Sequence, residues 1–262
     1  MPEAAELSVV IITFNEERNI ARCLDSVAFA GERVVVDSAS TDRTVELARE
    51  RSARVVQQAW LGFGPQKNHA IGQATRSWVL VLDADEWIPG PLADEIARVL
   101  RAPSADVYEI RRETLFLGRP MTHCWSGDWT ARLFRRGTAR YDDRPVHERL
   151  MVDASVHGGR LAQPYMHDTY RDLSHYVEKM NRYSDLFASG GGAAARVGLA
   201  RLVGSPLWAF AKMYLLKFGF LDGVEGLILS AGTGYYHFLK YAKRWALERR
   251  ARAGASEPEA GA

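Results

Sequence analysis

VLVLDADEW, residues 79–87, runs through four apolar residues and then places Asp83, Asp85 and Glu86 within four positions. A short apolar, β-branched run that ends in acids reads as a buried strand delivering carboxylates to its carboxyl end. Asp83 and Asp85, at i and i+2 on a chain leaving a strand, can both project to one side of a loop. Carboxylate oxygens are the ligands that hard divalent cations take, and magnesium keeps positions open for phosphate oxygens. An isolated D-x-D reads equally as solvated acids in a turn; what favours a metal-diphosphate complex here is the pattern upstream.

That pattern alternates apolar runs with amphipathic segments. LSVVIITF (7–14), RVVVDS (33–38), RVVQ (54–57) and WVLVLD (78–83) read as four buried strands. Between them lie helical patterns: Ile20, Cys23, Leu24 and Val27 after a cap expected at Asn15, then a segment around 43–52, then one near 66–76. WLGFGPQ reads as a loop before that third helix. A fourth helix is expected from Pro91 to Arg101. Four β-α units in about a hundred residues give an open, doubly wound, mostly parallel α/β sheet of Rossmann type, whose ligands bind at the carboxyl ends of its strands. Thr13, Asn15, Asp37, Ser38, Asp83 and Asp85 all fall at such ends.

Other α/β chemistries lack their own residues. A dinucleotide fold would carry G-x-G-x-x-G after the first strand, where this chain has TFNEE. A phosphotransferase with an aspartate nucleophile would follow an early strand with a small hydroxyl or β-branched residue after D-x-D, where Glu86 and Trp87 stand. The formal net charge of +2, from 34 basic and 32 acidic residues, gives no electrostatic footprint for nucleic acid. Cys23 and Cys124 show neither metal-ligand spacing nor a disulfide framework, which fits a reducing compartment. The start, MPEAAELSVV, has acids where a signal peptide would need a basic segment, so a cytoplasmic location is expected.

VVIITFNEERNIARCLDSV, VVVDSASTDRT and VLVLDADEW, in that order, resemble the three nucleotide-sugar motifs of family 2 glycosyltransferases with the GT-A fold. WLGFGPQKNHA, DWTARLFRRG, RPVHERL and YLLKFGFLDGVEGL further resemble the lipopolysaccharide-core glucosyltransferase branch of that family. The resemblance covers roughly residues 7–245. It implies that Thr13 and Glu16 line the nucleoside pocket, that Asp37 accepts a hydrogen bond from uracil, and that Lys67 approaches the base or phosphates. It also implies that Asp83 and Asp85 sit by ribose and a divalent metal, magnesium or manganese, with Asp85 the more direct ligand. The implied donor is a UDP-sugar, UDP-glucose, and the implied acceptor a lipid-linked glycan of the lipopolysaccharide inner core. The runner-up acceptor is a polyprenyl phosphate or another glycolipid, and a non-catalytic nucleotide-sugar binding module is the alternative of a different class.

Diphosphate charge released by the reaction calls for basic groups, and Arg132, Arg135 and Arg136 are candidates; strand alternation sends Arg135 to the face opposite the other two. The family inverts the anomeric centre, so a base must take the acceptor proton. The ED pair common in the family is missing. Glu148, in RPVHERL, is the favoured base and Asp128 the alternative, with His147 able to orient Glu148 or to be a structural histidine. His167 is a candidate for the metal or diphosphate. Trp60, Phe63, Trp125 and Trp129 are candidates for a sugar-stacking wall, with core packing as the alternative for each.

Residues 1–189 are expected to form the GT-A catalytic domain, 190–250 an amphipathic helical region, and 251–262 a flexible tail. PLWAFAKMYLLKFGFL (206–221) is interrupted by Lys212 and Lys217 and is shorter than the about 20 apolar residues that span a bilayer. With the aromatic segment that follows, it reads as helices lying in a membrane interface; the resemblance implies that this is the cytoplasmic face of a bacterial inner membrane, where the protein would sit peripherally. The alternative is a cover over the sheet or an oligomer interface.

Overall fold

The computed structural model describes residues 4–125, 127–144, 148–152, 155–190 and 197–255. The chain divides into two compact units, the first comprising residues 1–114 with 127–168 and the second 115–126 with 169–262.

In chain order the first unit contains β1 (Ala4–Thr13), α1 (Ile20–Ser26), β2 (Ala30–Asp37), α2 (Thr44–Glu50), β3 (Arg54–Gln57), α3 (Phe63–Gly72), β4 (Trp78–Asp83), β5 (Glu86–Trp87) and α4 (Gly90–Arg101). β6 (Val107–Phe116) follows, and its last two residues pair with β7 (Arg119–Pro120) inside the second unit. The first unit resumes with β8 (Trp129–Arg135), β9 (Ala139–Tyr141), β10 (Leu150–Val152), β11 (Gly158–Arg160) and β12 (Tyr165–Asp168). Strand order is β3-β2-β1-β4-β8-β6-β12-β5. The first four strands are parallel, as the βαβ pattern requires, and β8 then runs antiparallel to both β4 and β6. The sheet is therefore mixed beyond the nucleotide half.

β1 and β4 are buried almost throughout because they sit in the middle of the sheet with helices on both faces. One face buries Leu7, Val9, Ile11, Leu80 and Leu82 against α1 and α4; the other buries Val10, Ile12, Val34, Val36, Val79 and Val81 against α3. This double burial is why the strands read as continuous apolar runs.

Two local expectations change. Asn15 does not cap α1: it sits at φ +55°, its side-chain oxygen accepts from Thr41 N at 2.8 Å, and the helix starts only at Ile20. The loop after β1 is thus tied to the loop after β2, a contact that local propensity cannot reveal. α3 starts at Phe63, inside the expected loop, and ends at Gly72. Gly62 at φ +99° turns the chain into it, and Pro65 falls in the first turn, where its missing N–H is harmless.

In the second unit, α5 (Leu173–Ser189) is capped by Asp172, whose carboxylate accepts from His175 N at 2.8 Å. α6 (Leu199–Ala211) runs into a π-helical turn (Lys212–Leu216) and a 3-10 turn (Gly219–Asp222), and α7 (Gly223–Ala255) continues past residue 250. Phe116, Met121, Cys124, Tyr176, Met180, Met213 and Leu229 form the core of this unit. Buried Asp222 accepts from the backbone N–H groups of Thr122, His123 and Cys124 at 3.0, 3.1 and 2.8 Å, so one carboxylate holds that turn of chain. Among the described residues no helix is long and apolar enough to cross a membrane.

Candidate active site

Four strands of the first unit contribute to one charged cluster. β4 ends at Asp83, and the chain turns so that Glu86 folds back beneath the loop: its Oε2 accepts from Asp83 N at 2.8 Å. Oε1 of the same side chain accepts from Arg132 Nη2 at 2.6 Å. Arg132 arrives from β8, the antiparallel neighbour of β4, and also lies 3.5 Å from Asp83 Oδ2. From β12, the Tyr165 hydroxyl stands 3.4 Å from Arg132 and 2.9 Å from Thr130 Oγ1. Burial works against the Arg132 guanidinium, but Glu86, Tyr165, Tyr141 and Asp83 together outweigh it and keep the charge in place.

Lys67, on α3, is only 3% exposed. Its Nζ lies 3.0 Å from Asp83 Oδ1 and 2.7 Å from Glu148 Oε1, so one ammonium serves two carboxylates. Burial pushes the Lys67 pKa down, and Asp83, Tyr141 and Glu148 together more than reverse this to leave it raised. Burial pushes the Asp83 carboxyl up, while Lys67 and then Arg132 hold it well below the usual carboxylate range. The backbone of α3 comes close to this contact: a Cβ on Gly64 would fall 1.9 Å from the Asp142 carbonyl oxygen and 3.7 Å from Glu148 Cβ, and Asn68 makes reciprocal bonds to the Tyr141 backbone at 2.9 and 2.8 Å.

Asp85 stands beside β12. Asp168 N donates to Asp85 O at 3.0 Å, and His167 Nε2 lies 3.3 Å from Asp85 Oδ2. Burial lowers the His167 pKa, but the charge and hydrogen bond of Asp85, with the charge of Glu86, together leave it raised. Among the described residues no group of three or more His, Cys, Asp and Glu side chains could enclose a metal. Asp85 with His167 nevertheless offers a carboxylate and an imidazole side by side, both partly buried. Asp85 as sole protein ligand, with phosphate oxygens and water, suits magnesium, and the added His167 imidazole suits manganese, so the residues fit the group.

At the neighbouring strand ends, Asp37 is fully buried and accepts from Ser40 N at 2.9 Å and from Ser40 Oγ. Thr13 is its register partner across β1 and β2, and the buried Thr13 Oγ1 has no hydrogen-bond partner among the described residues. Such an orphan hydroxyl at a strand end is a group left for a ligand. Glu16 N donates to Thr44 Oγ1 at 2.8 Å, and its carboxylate accepts from Asn19.

The structure therefore brings together Lys67, Asp83, Asp85, Arg132, Glu148 and His167, with Thr13, Asp37 and Glu16 on the adjoining strand ends. It does not bring in Arg135, which pairs with Trp78 at the opposite end of β4 and binds Asp106 at 3.0 Å. Five residues along a strand put it about 16 Å from Asp83. Arg136 is likewise exposed, its N–H bonded to Ser77 O. Asp128 is exposed and paired with Arg112 at 2.8 Å, outside the buried cluster. His147 lies outside the described residues. Of the four aromatic candidates, Trp60 and Phe63 are exposed and meet edge to face at 4.9 Å. Trp129 stacks under Arg160, and Trp125 packs with Phe116 and Tyr170 in the second unit's core. Glu86 is one of the three acids of the opening stretch but receives no role from the sequence, and Tyr165 is not singled out there, although it shares a strand face with His167.

The family model described as Glycosyl transferase family 2 matches residues 8–151, more than half the chain and nearly all the residues of the cluster. The parallel βαβ half of the sheet agrees with the expected doubly wound α/β architecture. A lipopolysaccharide core biosynthesis glycosyltransferase of Rhizobium meliloti, LpsC, is 29% identical over 246 residues, covering 90% of this chain and 91% of that protein. An uncharacterized glycosyltransferase of Rickettsia typhi is 28% identical over 263 residues, covering 91% and 86%. Among solved structures, S. aureus TarS 1–349 in complex with UDP-GlcNAc aligns at TM-score 0.49 and 18% identity, covering 95% of this chain and 92% of that one; at that distance the likeness says nothing of donor or acceptor.

Proposed function

The chain belongs to glycosyltransferase family 2, and on that premise we propose that it moves glucose from UDP-glucose, with inversion, to a lipid-linked glycan of the lipopolysaccharide core at the cytoplasmic face of the inner membrane. The observation that carries this reading is Lys67, buried and shared between Asp83 at the end of β4 and Glu148 from the loop after β9, next to the Asp85–His167 pair. The likeness to LpsC along nine-tenths of both chains supports the acceptor class.

In this reading Asp37 and Thr13 bind the uracil nucleoside, Glu16 bounds its pocket, and Asp83 receives the ribose. Asp85 and His167 would hold a magnesium or manganese ion, which when bound supplies positive charge to the diphosphate as it leaves. Lys67 and Arg132 add fixed positive charge from below the same loop, already in place before the reaction and shielded from water. The acceptor hydroxyl oxygen forms the new bond to the anomeric carbon as the bond from that carbon to the diphosphate oxygen breaks, and the hydroxyl proton passes to Glu148. Lys67 orients that carboxylate. Asp128 is the second candidate for the base, more exposed and free of the Lys67 bond.

The test is calorimetric titration of UDP, with and without manganese, into the natural chain and the variants Asp85→Asn and Glu148→Gln. Metal-dependent UDP binding lost in Asp85→Asn, together with UDP binding kept but transfer reduced about 10²–10⁴-fold in Glu148→Gln, is the expected result. UDP binding indifferent to metal would remove the metal assignment, and undiminished transfer by Glu148→Gln would pass the base to Asp128.

A further inference from the structure

The second unit carries an apolar surface that its own core does not use. On α6, Leu199, Val203 and Leu207 follow at i, i+4 and i+8, which puts them on one stripe, and Trp208 lies beside it. Leu199, Leu207 and Trp208 are 76%, 65% and 61% exposed. The buried side of the same helix is marked by Ala209, so the face is turned outward while the helix as a whole is packed. The turns that follow continue the surface with Leu215, Leu216, Phe218, Phe220 and Leu221, all exposed. Phe218 sits at φ +54°, a backbone conformation that bulky residues avoid, and still leaves its ring outside the core. Singly scattered apolar residues on a surface need no explanation; a run of this kind does.

Charge tells what covers it. From residue 197 to 221 there is no aspartate or glutamate, and Arg201, Lys212 and Lys217 are all exposed. A self-complementary contact with a second copy would set these three cations against their own images, with no acid in the patch to offset them. A partner that is apolar inside and anionic at its surface satisfies both features at once. We propose that residues 199–221 dock the protein on an anionic phospholipid surface, the apolar stripe and turn entering the headgroup–acyl boundary and Lys212 and Lys217 reaching to phosphate level. This deepens the reading of a lipid-linked acceptor and takes its purpose from that reading, but the binding belongs to these side chains alone.

The experiment is sedimentation of the full chain with vesicles of phosphatidylethanolamine and phosphatidylglycerol, and separately with phosphatidylcholine vesicles, with no sugar donor or acceptor present. The wild-type chain is expected to co-sediment with the anionic vesicles, more weakly as salt rises. Leu207→Glu with Trp208→Glu should lower the partition at least about tenfold, with thermal melts unchanged because both positions are exposed. Lys212→Glu with Lys217→Glu should abolish the preference for anionic over neutral vesicles and provides a second reading if the first variant folds poorly. No co-sedimentation with anionic vesicles, or equal binding by both variants and wild type, overturns the proposal. So does a wild-type dimer that the Leu207/Trp208 variant converts to monomer without any vesicle binding. UDP titration of the same preparations separates failure of this surface from failure of the donor site.

Discussion

Lys67 is the side chain on which most of the cluster's charge balance rests. It is buried, and its ammonium is within 3.0 Å of Asp83 and 2.7 Å of Glu148. Lys67→Met removes the partner of two carboxylates at once, and breaking a buried pair from one side costs about 3–5 kcal/mol. A lowered melting temperature, with UDP affinity and transfer both reduced, is the expected outcome; a melt within a degree of wild type would mean that the carboxylates find water instead. The pH dependence follows from the two shifts. The depressed Asp83 pKa gives stability that is present above the unfolded carboxylate value of about 4 and is lost as pH falls through the folded one. The raised Lys67 pKa gives stability that is present below the unfolded lysine value of about 10 and is lost as pH rises through the folded one. Stability of the wild-type chain should therefore exceed that of Lys67→Met most between these limits, as urea unfolding at stepped pH would measure. Asp83 and Asp85 were legible because they stand at the end of a strand that its apolar run locates, and Lys67 was legible only through the resemblance to the family. Arg132 and Arg135 were not separable by such reasoning: both are basic residues of one strand, and only the register of β8 against β4 shows that one reaches Asp83 while the other lies at the far end.

The element that brings Glu148 to Lys67 is α3, through its first turn. Gly64 has its Cα so near the Asp142 carbonyl that an added Cβ would stand 1.9 Å from that oxygen, so the helix and the chain after β9 can approach only without a side chain there. Gly64→Ala should push Asp142 and Glu148 away, with a stability loss of about 1–3 kcal/mol from overpacking. Transfer should fall further than UDP binding, since Asp37 and Thr13 do not touch this contact. Calorimetry alongside a transfer assay checks the split, and equal losses in both would place the damage in α3 itself. Strands β1, β2 and β4 and helix α4 were legible from apolar runs and helical spacing, because strands buried on both faces read as continuous apolar runs. The ends of α1 and α3 were not, since Asn15 and Gly64 obey contacts with segments more than twenty residues away rather than capping preferences.

At the scale of the whole chain, the α/β pattern places the nucleotide half of the sheet but leaves open whether the acid-free stretch 197–221 is interfacial or packed. Its composition alone suits a core helix as well as an interfacial one, and the two differ only in which side chains are exposed. With Leu199, Leu207 and Trp208 turned out, an enzyme acting on a lipid-anchored glycan gains from meeting its substrate on a surface, where binding to the bilayer raises the local concentration of the acceptor rather than the rate of the chemical step. That division yields a prediction that binding data alone cannot. With the glycan part of the acceptor supplied free of lipid, the variant carrying Leu207→Glu and Trp208→Glu should transfer glucose with kcat/KM within about twofold of wild type, because the charged cluster around Asp83, Lys67 and Arg132 is intact. With the same acceptor embedded in anionic vesicles, its kcat/KM should fall about tenfold or more, and the loss should sit in KM, since what is removed is encounter and not transition-state stabilisation. An equal loss on both acceptors would mean that the exposed face of α6 supports the fold or the site rather than a lipid surface. An equal rate on both would mean that the bilayer contributes nothing to acceptor capture.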